Sequence, residues 1–214
     1  MIKAVIFDMD GLMIDSERVT FECYQEIMKP MNLTMDETFY KTLLGKPLKG
    51  IYQRFYDTYG QDFPIESVIK DVHALMAKRF ETEGVPVKKG LLVLLNYLKE
   101  NSYKTIVATS SNRDRVDTIL AQAHITEYFD DSICGDEVTH GKPHPEVFLK
   151  SCEKLGVKTD EAFVLEDSEA GIQAASSAGI KVICIPDMKY PTEEYASKTY
   201  KILDSLDQVI DELN

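Results

Sequence analysis

Apolar residues fall along this chain in two rhythms. Short unbroken runs bounded by turn residues predict buried strands at Ala4-Val5-Ile6-Phe7, Tyr103 to Thr109, Ile133 to Cys134, Ala162 to Leu165 and Lys181 to Ile185. Between the later runs, apolar positions recur at helical spacing: Leu91, Leu95 and Leu98, then Val116, Ile119, Leu120 and Ala123, then Phe148, Cys152 and Leu155. Strand and helix in alternation predict an α/β fold, a doubly wound parallel sheet with helices on both faces. In such sheets ligands sit beyond the carboxyl ends of the strands.

One stretch breaks the alternation. From Ser16 to Glu83 the pattern is helical throughout, with stripes at Val19, Cys23 and Ile27, at Met35, Phe39 and Leu43, and at Ile65, Val68, Ile69, Val72, Leu75, Met76 and Phe80. Thr34 and Glu37 have the spacing of a capping box at the entry to the second stripe. The predicted organisation is a core made of residues 1–15 and 84–214 with an inserted α-helical cap over 16–83. Its place directly after the first strand makes a lid the expected role.

Composition narrows the class of partner. With 36 acidic against 24 basic residues the net charge is −12, which argues against a nucleic-acid or membrane surface as partner. No apolar run approaches the roughly 20 residues of a membrane span, and no leader pattern precedes the first strand. A cytoplasmic monomer acting on a small molecule is the expectation. Cys23, Cys134, Cys152 and Cys184 are scattered without a C-x-x-C pair and read as reduced, packed thiols.

Candidate chemistry collects at four strand ends. The first strand ends in Asp8-Met9-Asp10-Gly11, and residues two apart on a strand share a face. Two carboxylates about 4 Å apart repel by roughly 4 kcal/mol at an effective dielectric near 20, so a cation, a shared proton or a bend must intervene. A second strand ends in Thr109-Ser110-Ser111-Asn112, a loop carries Thr139-His140-Gly141-Lys142-Pro143-His144-Pro145, and a further strand runs into Glu166-Asp167-Ser168. A parallel sheet brings these ends to one edge. Asp8, Asp167 and Glu166 can supply oxygens to Mg²⁺, which needs few carboxylates when phosphate oxygens and waters complete its shell. The Thr109 hydroxyl, the amides of the turn at Ser110 and the Lys142 ammonium suit the remaining phosphate oxygens. Asp167 or Ser168 also reads as the N-cap of a helix from about Glu169 to Ala178. His140 and His144 read as loop residues, neither having a partner at metal-ligand spacing.

Asp8-Met9-Asp10-Gly11, Thr109, Lys142-Pro143 and Glu166-Asp167 resemble, in order and context, the four signature motifs of the haloacid dehalogenase superfamily of phosphotransferases. The helical insert is similar to the cap of its β-phosphoglucomutase-like branch. The resemblance implies a Rossmann-like core in which Asp8 is the nucleophile and Asp10 the general acid and base. It also implies Mg²⁺ bound by Asp8, the Asp10 carbonyl, Asp167 and Glu166, and phosphate held by Thr109, Ser110 and Lys142. Sugar mutases of the branch carry a cap-side His where Thr20 stands here, and an Arg near Leu48-Lys49; neither is present. Hydrolysis of a small phosphorylated metabolite is therefore the favoured expectation, with a mutase using the same nucleophile as the alternative. Lys46 and Lys49, expected in the loop after Gly45, are candidates to reach a substrate hydroxyl or a second phosphate. A phospho-receiver module would lack the cap and carry its acid on a later strand; a dehalogenase would leave Asp10 and Asp167 without a purpose.

Overall fold

The computed structural model describes residues 1–213 and divides the chain into two compact units, Met1–Asp15 with Val85–Asn214, and Ser16–Gly84. In chain order, β1 (Ala4–Phe7) is followed by α1 (Ser16–Met28), α2 (Glu37–Lys41), α3 (Leu48–Tyr59) and α4 (Ile65–Glu83), which make up the second unit. The first unit resumes with α5 (Leu91–Glu100), β2 (Lys104–Ala108), α6 (Arg113–Gln122), β3 (Asp131–Ile133), α7 (Glu146–Leu155), β4 (Ala162–Glu166), α8 (Glu169–Ser177), β5 (Lys181–Cys184), α9 (Glu193–Ala196) and β6 (Lys201–Ile202).

All six strands are parallel, in the order β3-β2-β1-β4-β5-β6. The four residues of β1 are fully buried, as a central strand covered on both faces requires. Alternate residues serve opposite faces: Ala4, Ile6, Ile106, Ala108, Val164 and Val182 share one apolar cluster with Val147, Phe148 and Cys152 of α7 and Ile172 and Ala175 of α8. Phe7 faces the other way and meets Phe129 edge-on at 5.5 Å. The winding reverses between β1 and β4, so the crevice beyond their carboxyl ends is the topological switch point. Asp8 and Asp167 both lie there.

The helical unit leaves and re-enters the first unit through a short antiparallel bridge. Asp15 donates its amide to the Pro86 carbonyl at 2.9 Å, Lys88 donates to the Met13 carbonyl at 2.8 Å, and Ile14 pairs with Val87. Within the helical unit the stripe at Ile65, Val68, Val72, Met76 and Phe80 is the buried face of α4, which packs on α1. The core here is aromatic: Phe55 of α3 lies 5.3 Å from both Phe39 and Phe63 and 5.6 Å from Tyr24.

Three local expectations are corrected. The N-cap of α2 is Asp36, whose carboxylate accepts the Phe39 amide at 2.7 Å; Glu37 instead pairs with Lys41 at 2.8 Å, so no Thr34–Glu37 box forms. An aspartate two residues further on is an equally good cap and shortens the helix. Lys49 sits in the first turn of α3 rather than in the loop with Lys46. The third strand pairs at Asp131–Ile133, starting two residues before the expected start at Ile133, because its extent is set by hydrogen bonds to β2. Among the described residues no helix is long and apolar enough to cross a membrane.

Candidate active site

β1 ends at Phe7, and the chain turns immediately: Met13 and Ile14 both donate to the Met9 carbonyl, at 2.9 and 3.2 Å. Gly11 makes this turn with φ at +84°, and a Cβ there would collide with the Asp167 carboxylate. The glycine of the D-x-D-G run is therefore needed twice, for the backbone and for the approach of Asp167.

The turn sends the two aspartates to different partners. Asp8 is buried and takes the Lys142 ammonium on Oδ1 at 2.5 Å. Lys142 spends its other two protons on Glu166 Oε1 at 2.6 Å and the Ala108 carbonyl at 3.0 Å. Asp10 is half-buried; its Oδ1 takes the Arg115 guanidinium at 2.6 Å and its Oδ2 the Ser111 hydroxyl at 2.8 Å. Of the solutions open to the sequence, a bend and protein cations relieve the repulsion.

Electrostatics differ accordingly. Burial pushes the Asp8 carboxyl up, to about 8; the Lys142 ammonium pulls it down, and repulsion from Glu166 and Asp10 adds to the rise. Burial works against the Lys142 charge, yet the two carboxylates outweigh it and hold its pKa above the ordinary lysine value. Ionised together, the two carboxylates would leave a net negative charge around one ammonium, and the Asp8 carboxyl holds its proton more tightly than usual.

Glu166 ends β4, fully buried. Beyond Lys142 on Oε1, its Oε2 accepts the Asp167 amide at 3.0 Å and the Ser168 amide and hydroxyl, both at 2.9 Å. A Cβ on Gly171 would overlap this carboxylate, so the first turn of α8 is open only to glycine at that point. Ser168 is the N-cap of α8, accepting the Gly171 amide at 3.1 Å. Thr109 is buried just past β2, and its hydroxyl accepts the Ser111 amide at 3.1 Å. Ser110 is exposed, and its carbonyl is backed by Gly135, where a Cβ would clash.

The donor set fits a hard divalent cation. One carboxylate oxygen each from Asp8, Glu166 and Asp167 lie within 4.8 Å of one another, all-oxygen ligands of the kind Mg²⁺ takes. Glu166, with four hydrogen bonds already on its two oxygens, is placed to orient Lys142 and the Asp167 turn.

The structure thus brings Asp8, Lys142, Glu166 and Asp167 into one cluster, with Thr109 at the adjoining strand end. Sequence reasoning missed Arg115 and the Ser111 hydroxyl as partners of Asp10. Both follow the Thr109 turn, and Asn112, the N-cap of α6, sets the helix on which Arg115 stands; its side chain accepts the Arg115 amide at 3.0 Å. A basic residue in the first turn of a helix is the signal that was available, since it runs against the helix dipole.

A parallel sheet whose switch point carries paired carboxylates and a buried lysine belongs to the α/β enzymes that work at the carboxyl edge of the sheet. The chain belongs to the haloacid dehalogenase-like hydrolases, the family matched over residues 5–185. It is 32% identical to the phosphorylated carbohydrates phosphatase of Thermotoga maritima over 85% of this chain and 83% of that protein. It is 30% identical to a Drosophila melanogaster protein named as a probable pseudouridine-5′-phosphatase, over 94% and 88%. Among solved structures, a candidate β-phosphoglucomutase from Thermotoga maritima superposes with a TM-score of 0.82 at 27% identity, covering 99% of this chain and 98% of that one.

Proposed function

We propose that this haloacid dehalogenase-like enzyme, a phosphoric monoester hydrolase, releases phosphate from a small phosphorylated sugar or nucleoside through an aspartyl-phosphate on Asp8, with Mg²⁺ as cofactor. The observation that carries the reading is the cluster at the switch point: a buried carboxylate, Asp8, between the Lys142 ammonium and the Asp167 turn. A carboxylate so held can attack phosphorus in line while the leaving oxygen departs on the far side.

The residues divide the work. Asp8 Oδ forms the bond to phosphorus as the ester P–O bond breaks. Asp10 delivers a proton to the departing oxygen, then takes one from the water that attacks the acyl phosphate and returns Asp8 as carboxylate. Arg115 and Ser111 fix the Asp10 carboxylate in position. Thr109, the backbone at Ser110 and Lys142 bind the non-bridging oxygens. Asp8, Asp167 and the Asp10 carbonyl hold the Mg²⁺, with Glu166 orienting them. When bound, the ion neutralises charge on the phosphoryl group so that an anionic nucleophile can approach it.

Two relatives named as phosphatases, one of phosphorylated carbohydrates and one of pseudouridine 5′-phosphate, support hydrolysis and a sugar or nucleoside as the substrate class. Thr20, at the position where the mutases of the resemblance carry a histidine, spends its hydroxyl on the Ser16 carbonyl at 2.8 Å and has no proton-shuttling capacity near neutrality. The test is a panel of sugar and nucleoside monophosphates with Mg²⁺, assayed in parallel for free phosphate and for isomerised sugar phosphate. Free phosphate without isomerisation is expected; isomerised sugar phosphate with no net phosphate release would overturn the reading in favour of a mutase.

A further inference from the structure

The loop that carries Lys142 holds a second cluster of donor atoms, separate from the carboxylates. His140 and His144 stand two residues before and two after Lys142, and Glu146 opens α7. Sequence spacing alone offered neither histidine a partner, yet the fold brings one ligand atom from each of the three within 4.8 Å of the others. His140 Nδ1 lies 3.2 Å from Glu146 Oε2, the Glu146 amide donates to His144 Nδ1 at 3.3 Å, and the two ring centroids are 4.7 Å apart.

The carboxylate is held in place without any metal. Its Oε1 accepts the Thr139 amide and pairs with Lys150, each at 2.9 Å, and its Oε2 accepts the His140 amide at 2.9 Å. Ligands bound to Zn²⁺ at about 2.0–2.2 Å in a tetrahedron sit about 3.3 Å apart, so the His140–Glu146 pair is already at that spacing. His144 closes the remaining distance by rotation of an exposed imidazole, which costs little packing.

Two imidazoles and one carboxylate are a mixed nitrogen and oxygen set. Such a set suits borderline-soft cations and is a poor match for Mg²⁺, which the all-oxygen cluster at Asp8 serves. The geometry points to His140, His144 and Glu146 as a binding site for one divalent cation of the Zn²⁺ class, with solvent completing its shell, in the loop that positions Lys142.

The experiment is a Zn²⁺ titration of tag-free protein against a chromophoric chelator, with Mg²⁺ in millimolar excess to occupy the carboxylate cluster. Wild type should bind one Zn²⁺ more than the His140→Ala/His144→Ala double variant, and His144→Gln should weaken that equivalent at least about tenfold, the lower end of the loss seen when even an outer-shell partner of a ligand is removed. Co²⁺ in place of Zn²⁺ should give a visible absorption band in wild type that the double variant lacks. Both histidines are exposed, so thermal melts of the variants should match wild type and exclude unfolding as the cause. Equal Zn²⁺ stoichiometry and affinity in wild type and double variant, or no Zn²⁺ bound by wild type, would overturn the assignment.

Discussion

Asp8 and Asp10 are two residues apart and chemically identical, yet they live in different electrostatic regimes. Asp8, Lys142 and Glu166 have side chains only 11%, 5% and 0% exposed, whereas Asp10 and Arg115 are 27% and 30% exposed. Inside, the ammonium is shared by the buried Asp8 and Glu166 carboxyl groups, and removing it leaves buried charge unpaired. At the half-exposed pair, water can replace the guanidinium at small cost. The difference matches the proposed roles: the nucleophile must stay fixed, while a group that gives and takes protons must exchange partners.

The largest effect should come from Asp8→Asn, which keeps the shape and removes the nucleophile. Mg²⁺-dependent phosphate release from an aryl phosphate should fall by at least about 1,000-fold; turnover near the wild-type rate would end the nucleophile assignment. Lys142→Met comes next, with a loss of about 3–5 kcal/mol in urea unfolding of metal-free protein, as expected when one partner of a buried ion cluster is deleted. A loss below about 1 kcal/mol would erase the contrast between the two regions.

The third effect is a pH trend. In metal-free folded protein Asp8 keeps its proton up to about 8, against about 3.9 in an unfolded chain, so the folded state binds the extra proton between those values. Stability should therefore fall as pH rises through that window, with a slope of at most about 1.4 kcal/mol per pH unit. Urea midpoints in the presence of a chelator from pH 5 to 8 check the sign, and a rise over that range attributable to this site would contradict it. The smallest effect is expected from Arg115→Ala, at most about 1 kcal/mol of stability and declining with added salt. Its readout that matters is turnover: a changed pH–rate profile at unchanged fold marks Arg115 as a positioning residue for Asp10, and an unaltered profile removes it from the mechanism.

Much of the fold was legible because its signals are local. Four-residue apolar runs announce strands buried on both faces, and the stripe from Ile65 to Phe80 has the period of a helix. Asp8, Thr109, Glu166 and Asp167 could be singled out because each stands at or just past a strand end, and Lys142 because it lies in the loop that follows another strand. The partners of Asp10 were not legible in this way: Ser111 and Arg115 gain meaning only when the turn after β2 is folded against the turn after β1. The start of the third strand, at Asp131 rather than Ile133, was missed for the same reason, since pairing is decided by the neighbouring strand. Asp36 displaced Thr34 as a cap because two acceptors competed for one helix start and their local propensities are similar.

By itself the sequence determined the kind of sheet, the helical insert and the identities of the groups at the strand ends, since hydrophobic period and turn chemistry act over a few residues. The tertiary structure alone decided which carboxylate receives which cation. It buried Asp8 with Lys142 and Glu166, left Asp10 half in water with Arg115, and gathered His140, His144 and Glu146 around the turn into α7. Charge pairing depends on distance and on the dielectric around it, and both are properties of the folded chain.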